Sequence, residues 1–246
     1  MSVIHGKATK IYMAEFDLSA VLSEIEVTSE FGEAEDTAFT DTAKSFLIGF
    51  RSGELKAKGQ WDGAVGKTDV RFNTQMNGTK VPVTIVWSGT TPADATAVSA
   101  AGGNMAETKY NTGGGVGDIV PVDISGRLDG GAAFGYCLCL DKAFTSTGDG
   151  ADVDFGVATG SGTFYYLANL HCTAVTSGSG TNTFLVKGGT DGVTYGNTIT
   201  TFSNIAAVGS ECKTGTNATS WRFAQITCTA LASTSMTMTA MLARMS

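Results

Sequence analysis

The side chains that most often catalyse reactions or bind metals are sparse in this sequence. Its two histidines, His5 and His171, lie far apart in the chain, and its five cysteines form no CxxC pair, so the spacings of zinc ribbons and thioredoxin-like sites are absent. His171 and Cys172 are neighbours in a predicted strand, so their side chains point to opposite faces and form no nucleophile and base pair. Cys137 and Cys139 are predicted to share one buried face. We therefore predict that the protein is not an enzyme and holds no cofactor or metal.

Two other polar patterns are interpreted as loops. Asp149, Asp152 and Asp154 lie close together in "GDGADVDFG", but the glutamate and the spacing of a calcium-binding loop are absent. The stretch "NTGGGVGD" has no Lys followed by Ser or Thr, which a phosphate-binding loop would need. We interpret the first as a solvated acidic turn and the second as a flexible connection.

The overall composition favours strands and argues against several kinds of partner. The chain has 32 Gly, 3 Pro and only 16% charged residues, a balance typical of short strands and tight turns. A net charge of −7 argues against a surface that binds nucleic acid. No apolar run reaches the length of a membrane span or a signal peptide, so we predict synthesis in a cytoplasm and no membrane partner.

Alternation of apolar and polar residues is the dominant local pattern. In "GELKAKGQW" Leu55, Ala57 and Trp61 face one way while Glu54 and Lys56 face the other, as in a half-buried strand. Similar patterns predict strands within residues 80–87, 118–126, 136–144, 152–157, 164–175, 183–189, 221–231 and 235–245. We predict an all-β protein with two β-sandwich or barrel domains, at 1–128 and 129–246, and short helices at Asp17–Glu26 and Pro92–Ala101.

One segment has an unusual distribution of charge. From Ile11 to Ala43 there are nine carboxylates and no Lys or Arg, and basic residues follow directly. An acidic strip beside a basic strip suits head-to-tail contact between copies, which closes into a ring when the rotation allows. A surface that repels nucleic acid, such as the lumen of a conduit, is a second functional interpretation, and a plain solvated acidic face is the alternative to both. The acidic strip comprises Glu24, Glu26, Glu30, Glu33, Glu35, Asp36 and Asp41, and the basic strip Lys44, Arg51, Lys56 and Lys58.

The same region resembles a known family. "FDLSAVLSEIEVTSEFGEAEDTAFTDTAKSFLIGFRSGELKAKGQWDG", residues 16–63, is similar to the amino-terminal pattern of tailed-bacteriophage tail tube (major tail) proteins. The stretch at 108–126 is similar to the loop and strand that close that domain, so the resemblance covers roughly half of the chain. The positions that carry it include Asp17, Ser19, Phe39, Phe46, Gly49, Trp61 and Gly63.

The resemblance implies a structural virion protein located in the phage tail and made in the host bacterial cytoplasm. It implies a β-sandwich or barrel with a short flanking helix, hexameric rings of this chain stacked into a tube, contacts with other tail proteins, and DNA only in transit through the lumen. The second half resembles β-sandwich domains appended to virion proteins, which also occur on capsid decoration proteins. A decoration or cement protein is therefore one alternative. A carbohydrate-binding β-sandwich is another, with Tyr165, Tyr166, Tyr195 and Trp221 as its candidate aromatic platform.

Overall fold

The structure is a computed structural model that describes residues 8–35, 46–64, 67–75, 78–93, 96–114, 118–156, 163–176, 180–202 and 205–245. These residues form an almost entirely β chain, which confirms the predicted fold class. The elements are β1 (Lys10–Met13), β2 (Phe16–Asp17), β3 (Leu22–Glu35), β4 (Phe46–Gln60), α1 (Thr68–Gln75), β5 (Val81–Val86), β6 (Val98–Thr112), β7 (Pro121–Leu128), β8 (Ala133–Phe144), β9 (Gly148–Asp149), β10 (Val153–Asp154), β11 (Phe164–Thr176), β12 (Thr183–Gly189), β13 (Asn197–Phe202), β14 (Gly209–Asn217), β15 (Phe223–Ala230) and β16 (Ser235–Met245).

The predicted helix at Asp17–Glu26 is wrong, because this segment turns and then enters β3. The Asp17 carboxylate accepts a hydrogen bond from the Ser19 amide at 2.9 Å, which is a local turn that competes with helix formation. Beyond it, Ile25 is half-buried while Glu24 and Glu26 are exposed. That period of two is the strand pattern.

The predicted helix at Pro92–Ala101 is also wrong, since β6 begins at Val98. Ala100 and Ala101 are both buried there. The helix that does form, α1, was not predicted. Its first residue, Thr68, accepts a hydrogen bond through its hydroxyl from the Asp62 amide at 2.8 Å, which fixes the chain where the helix begins.

Two compact units divide the chain. Unit 1 contains Met1–Val21, Val81–Asn104 and Ala133–Ser246, and unit 2 contains Leu22–Lys80 and Met105–Ala132. The predicted domains were two consecutive segments, whereas these units are interleaved along the sequence. The physical reason is strand β6, whose first residues pair with β8 and whose later residues pair with β7.

Unit 1 is built from antiparallel strands in two sheets. One has the strand order β14-β11-β16-β8-β6-β5-β1-β2, and the other has the order β10-β15-β12-β13 with β9 beside β15. A core of buried side chains lies between them, as in a β-sandwich. Its largest members are Phe144, Tyr166, Phe184, Phe202 and Trp221.

The opposite face of the first sheet of unit 1 encloses a second core, which includes Tyr12, Leu167 and Met241. Beside it the fully buried His171 has ring atom Nδ1 2.6 Å from the Ala14 carbonyl and Nε2 2.8 Å from the Thr84 hydroxyl. Because a carbonyl only accepts, Nδ1 carries the hydrogen and Nε2 accepts from Thr84. His171 therefore joins β11 to β5 and to the turn after β1.

Unit 2 is a four-stranded antiparallel sheet in the order β3-β4-β7-β6, accompanied by α1. One face of the sheet is apolar and buried, with Leu55, Val122, Ile124 and Met105 at most 2% exposed. The helix is linked to β6 by two contacts. Phe72 stacks on Tyr110 with ring centroids 5.9 Å apart, and the Tyr110 hydroxyl donates to Asp69 Oδ1 at 2.9 Å.

Candidate functional site

The solvent side of the unit 2 sheet presents a regular array of charges, which we call the charged face. Strand alternation sends every second residue to this side, so charged residues on neighbouring strands meet in register. Glu24 lies opposite Lys58 and Glu26 opposite Lys56 across β3 and β4. The charged face comprises Glu24, Glu26, Glu30, Glu54, Lys56, Lys58, Lys109, Asp123 and Arg127.

Ion pairs cross this face from strand to strand. Lys58 Nζ lies 3.1 Å from a carboxylate oxygen of Glu24, and Lys109 Nζ lies 2.5 Å from Asp123 Oδ2. Exposed pairs of this kind contribute about 0–1 kcal/mol each to stability, so their main effect is on surface charge. With five carboxylates and four cations, the charged face is nearly balanced.

The structure places the predicted acidic strip mainly on β3. Glu24, Glu26 and Glu30 belong to the charged face, and Glu33 and Glu35 are exposed farther along the same strand, after a register shift between Phe31 and Glu33. Asp36 and Asp41 lie outside the described residues. The role of the strip at a lumen or between subunits stays a prediction.

The predicted basic strip is the hairpin partner of the acidic strip within the same chain. Lys56 and Lys58 lie on the charged face, whereas Arg51 lies on the other side of β4, donating to the Ser29 hydroxyl at 2.8 Å and to the Ala132 carbonyl. Lys44 lies outside the described residues. Because β3 and β4 pair directly, these charges are already partly neutralised before any second copy is considered.

Alternation in β4 already placed Glu54 on the face of Lys56, but sequence reasoning missed three members of the charged face: Lys109, Asp123 and Arg127. A signal was present for two of them. In β7, Asp123 and Arg127 alternate with the buried Val122, Ile124 and Leu128, which is the same period of two that was used for β4. Their position opposite β4 depends on pairing between distant segments, which no local pattern reveals.

The positions that carry the family resemblance have local structural roles. Asp17 and Ser19 form the turn after β2. A Cβ atom on Gly49 would lie 3.0 Å from the Gly32 carbonyl oxygen, and one on Gly63 would lie 2.8 Å from the Trp61 ring. The backbone of Phe46 begins β4, and Phe39 lies outside the described residues.

Two aromatic side chains on the β3–β4 hairpin are open to solvent. Phe50 is 95% exposed and Phe31 is 54% exposed, and Phe31 pairs with the residue next to Phe50. Directly opposite residues share a face and successive residues alternate, so Phe31 and Phe50 project from opposite faces of the hairpin. Covering such exposed apolar surface with a partner is favourable. This part of the hairpin is therefore a candidate for contact with another protein chain.

A buried acid lies on the apolar side of the same sheet. Glu107 is only 8% exposed, and within the described part of the chain neither of its carboxylate oxygens has a hydrogen-bond partner. Burial raises the pKa of Glu107 to about 8, and the positive charge of Arg71 on α1 opposes that rise. Burial favours the neutral form of a carboxyl group, so Glu107 is largely protonated near neutral pH.

The aromatic platform predicted for a carbohydrate-binding module does not form. Trp221 is fully buried and Tyr166 is 8% exposed, while Tyr165 is 58% exposed. Tyr195 is half-buried on a different segment. Trp221 instead packs in the sandwich core against Phe155 and Phe164.

Across the described residues, no group of three or more His, Cys, Asp or Glu side chains is arranged to hold a metal ion. The Asp154 carboxylate is engaged with the Arg222 guanidinium by hydrogen bonds of 2.7 and 2.6 Å. In the same described residues, α1 and any other helical turn fall short of the length and apolarity needed to cross a membrane.

No protein-family model and no curated protein matches this sequence. Among solved structures, a chain of the virion of a native gene transfer agent particle shows 15% identity and a TM-score of 0.41, over 54% of this chain and 98% of that one. The crystal structure of the SPP1 Dit protein shows 14% identity and a TM-score of 0.35, over 97% and 99%. The phage p2 baseplate in its activated conformation shows 7% identity and a TM-score of 0.32, over 95% and 97%. These scores are too low to establish a shared fold or function.

Proposed function

We propose that the protein is a structural subunit of a phage-type tail, in which copies join edge to edge into hexameric rings and stacked rings form a tail tube for DNA. The observation that carries this proposal is the free edge of β3. This strand is 14 residues long, and in the described part of the chain it pairs with β4 alone. A long unpaired edge is an aggregation hazard in a monomer. In a ring, each copy would pair this edge with a strand of the neighbouring copy.

The charged face supports the proposed conduit. A wall that lets DNA pass should not bind phosphates, and DNA binding requires uncompensated Lys and Arg. On the charged face the cations of β4 lie directly opposite the carboxylates of β3. The resulting balance leaves little net attraction for a polyanion.

The exposed aromatics of the hairpin support contact between copies. Phe31 lies on β3 itself, and Phe50 lies on the neighbouring strand and projects from the opposite face. A second chain added at β3 would therefore lie beside Phe31 and would cover Phe50 where it extends over that face. Burying exposed apolar surface contributes roughly 25 cal/mol per Å² to association. The same hairpin thus supplies the unpaired edge and the apolar contact.

The test is the assembly state of the purified, concentrated protein, measured by light scattering and imaged by negative-stain electron microscopy. We expect closed rings or hollow tubes. Compact monomers or trimers at every concentration would contradict the proposal and would favour a decoration protein, to be tested next by binding to empty capsids.

A pair of variants distinguishes assembly through the hairpin from nonspecific hydrophobic association. Phe50→Ser removes the more exposed of the two aromatic side chains of the hairpin and should shift the protein toward monomers. Val193→Ser removes a side chain that is 82% exposed in a loop of unit 1 and should leave the rings unchanged. Equal loss of assembly in both variants would argue against the hairpin as the contact.

A further inference from the structure

Unit 1 contains a cavity that none of the features above explains. Its volume is about 320 Å³, at the lower end of the range found for ligand sites. Four aromatic side chains and one guanidinium contribute to its lining, together with a serine and two small residues. The lining residues are Trp87, Ser99, Ala100, Phe134, Gly135, Tyr136, Phe155 and Arg244.

The walls of this aromatic cavity are fixed by the backbone. The Trp87 amide donates to the Ser99 carbonyl at 3.1 Å, and the Phe155 amide donates to the Arg222 carbonyl at 2.9 Å. Tyr136 and Phe155 meet edge to face, with ring centroids 4.9 Å apart and planes at 82°. The rings are held in place before any ligand arrives, which lowers the cost of binding.

Gly135 allows the strands beneath the cavity to approach closely. A Cβ atom at this position would lie 2.2 Å from the Leu242 carbonyl oxygen and 2.6 Å from Ala243 Cα. The neighbouring Phe134 is 52% exposed. One ring of the wall is therefore presented to solvent, where it can meet a ligand.

The cavity also holds a positive charge in an otherwise acidic protein. The Arg244 guanidinium stacks 4.3 Å from the centre of the Trp221 ring and 4.9 Å from that of Phe155, and its Nη2 donates to the Trp221 carbonyl at 3.4 Å. The Asp154 carboxylate, whose charge also acts on Arg244, is engaged by both hydrogen bonds from Arg222. These three groups together carry one net positive charge.

We propose that the aromatic cavity binds an acidic sugar, a pyranose ring that carries a carboxylate, as in a uronic acid. The aromatic faces, with their negative quadrupole, suit the C–H face of a sugar ring. The positive charge of the guanidinium suits a carboxylate, to which it can donate a charge-assisted hydrogen bond. The hydroxyl groups of Ser99 and Tyr136 supply partners for sugar hydroxyls. Sugar binding at this site does not require assembly into rings.

The test is isothermal titration of the full chain with three probes: methyl β-glucuronide, methyl β-glucoside and benzoate. We expect the glucuronide to bind at least about tenfold more tightly than the glucoside, because a charge-assisted hydrogen bond contributes roughly 1.5–3 kcal/mol. No binding of the glucuronide at about 10 mM would overturn the proposal. Benzoate binding without glucuronide binding would also overturn it, since the cavity would then be a site for aromatic carboxylates.

Variants locate the binding in the cavity. Phe134→Ala should weaken glucuronide binding, and Arg244→Met, which keeps an apolar side chain over Trp221, should abolish the preference for the acidic sugar over the neutral one. Tyr165→Ala is the matched control, because Tyr165 is an aromatic side chain of similar exposure outside the cavity. Binding that survives Phe134→Ala and Arg244→Met unchanged would place the sugar elsewhere and overturn the assignment.

Discussion

At the scale of single residues, two buried titratable groups change the stability of the fold in opposite directions as the pH changes. Glu107 in unit 2 is held neutral by burial, and so is His171 in unit 1, where both ring nitrogens are already hydrogen-bonded. A buried acid is destabilising when it ionises, and a buried base is destabilising when it takes up a proton. Glu107 therefore lowers the stability of the folded chain at high pH, and His171 lowers it at low pH.

Replacing Glu107 by Gln should make the protein more stable at alkaline pH. The pKa of this carboxyl is about 8 in the folded chain against 4.5 for an ordinary glutamate, so the folded state binds more protons between these values and its stability falls as pH rises through them. We expect Glu107→Gln to gain about 1 kcal/mol or more at pH 8 and to show a smaller gain at pH 5, measured by chemical denaturation.

The control is Glu30→Gln, which changes an exposed carboxylate on β3 and should leave the pH dependence of stability as it is. A Glu107→Gln variant that is less stable than the original protein at pH 8 would show that the ionised form is the stabilising one, paired with Arg71.

His171 should stay neutral through the physiological pH range. Burial lowers its pKa to about 4 from the ordinary 6.5, because the enclosed ring cannot be hydrated when charged. We expect the imidazole nitrogen shifts in NMR spectra to be constant between pH 5 and 7 and to match the tautomer with hydrogen on Nδ1. A titration midpoint near 6.5 would mean that the ring is accessible to water.

At the scale of elements, β4 depends on close backbone approach in its middle. A Cβ atom on Gly53 would lie 2.5 Å from the Ala132 amide nitrogen and 2.8 Å from the Gly131 carbonyl carbon. Backbone atoms cannot move aside as a flexible side chain can. The strand is therefore held against the turn after β7 at this glycine.

Gly53→Ala should destabilise the protein by roughly 1–3 kcal/mol, as overpacking does in other proteins. Gly209→Ala is the matched control, because nothing lies within 4 Å of a Cβ atom at that position. Thermal unfolding monitored by circular dichroism compares the two. Equal melting temperatures for both variants would mean that the turn after β7 moves freely.

Strand β8 departs from the alternation that its sequence predicts. Cys137 and Cys139 were predicted to share a face, but the first belongs to the core around Tyr12 and the second to the sandwich core. The pairing with β16 shifts between Ala240 and Met241, so Leu138 and Cys139 both face the sandwich core. A bulge of this kind breaks the period of two.

At the scale of the whole molecule, the net charge of the charged face determines whether the wall of the proposed tube binds DNA. Its five carboxylates and four cations give a net charge of −1. Changing Glu24 and Glu26 to Lys would make that charge +3, with six cations in one array. Because DNA affinity scales with the number of neutralised phosphates, this is the exchange that should create a binding surface.

We expect the original protein not to bind labelled duplex DNA in fluorescence anisotropy at low salt, and Glu24→Lys/Glu26→Lys to bind it with a marked salt dependence. Asp118→Lys/Asp149→Lys has the same net charge but places it away from the charged face, and should bind far more weakly. Tight DNA binding by the original protein would contradict the proposed role of this face.

The sequence by itself determined the all-β class and the position of most long strands. In β4, β5, β11, β12 and β16 the alternation or run of apolar residues is a local property of the chain, so it could be read without knowing the partners. The charges of the β3–β4 hairpin were visible for the same reason. The segment of β3 was mistaken for helix because a few apolar residues satisfy both periods over so short a length.

Only the tertiary structure decided which strands pair and which side chains pack against them. The interleaved units, the Arg71–Glu107 proximity and the aromatic cavity each bring together residues from distant parts of the sequence. Asn169, for example, donates to the Val83 carbonyl across 86 positions of the chain. Such contacts are selected by the total burial and hydrogen bonding of the fold, and a local pattern records only that a side chain is buried, not which residue it meets.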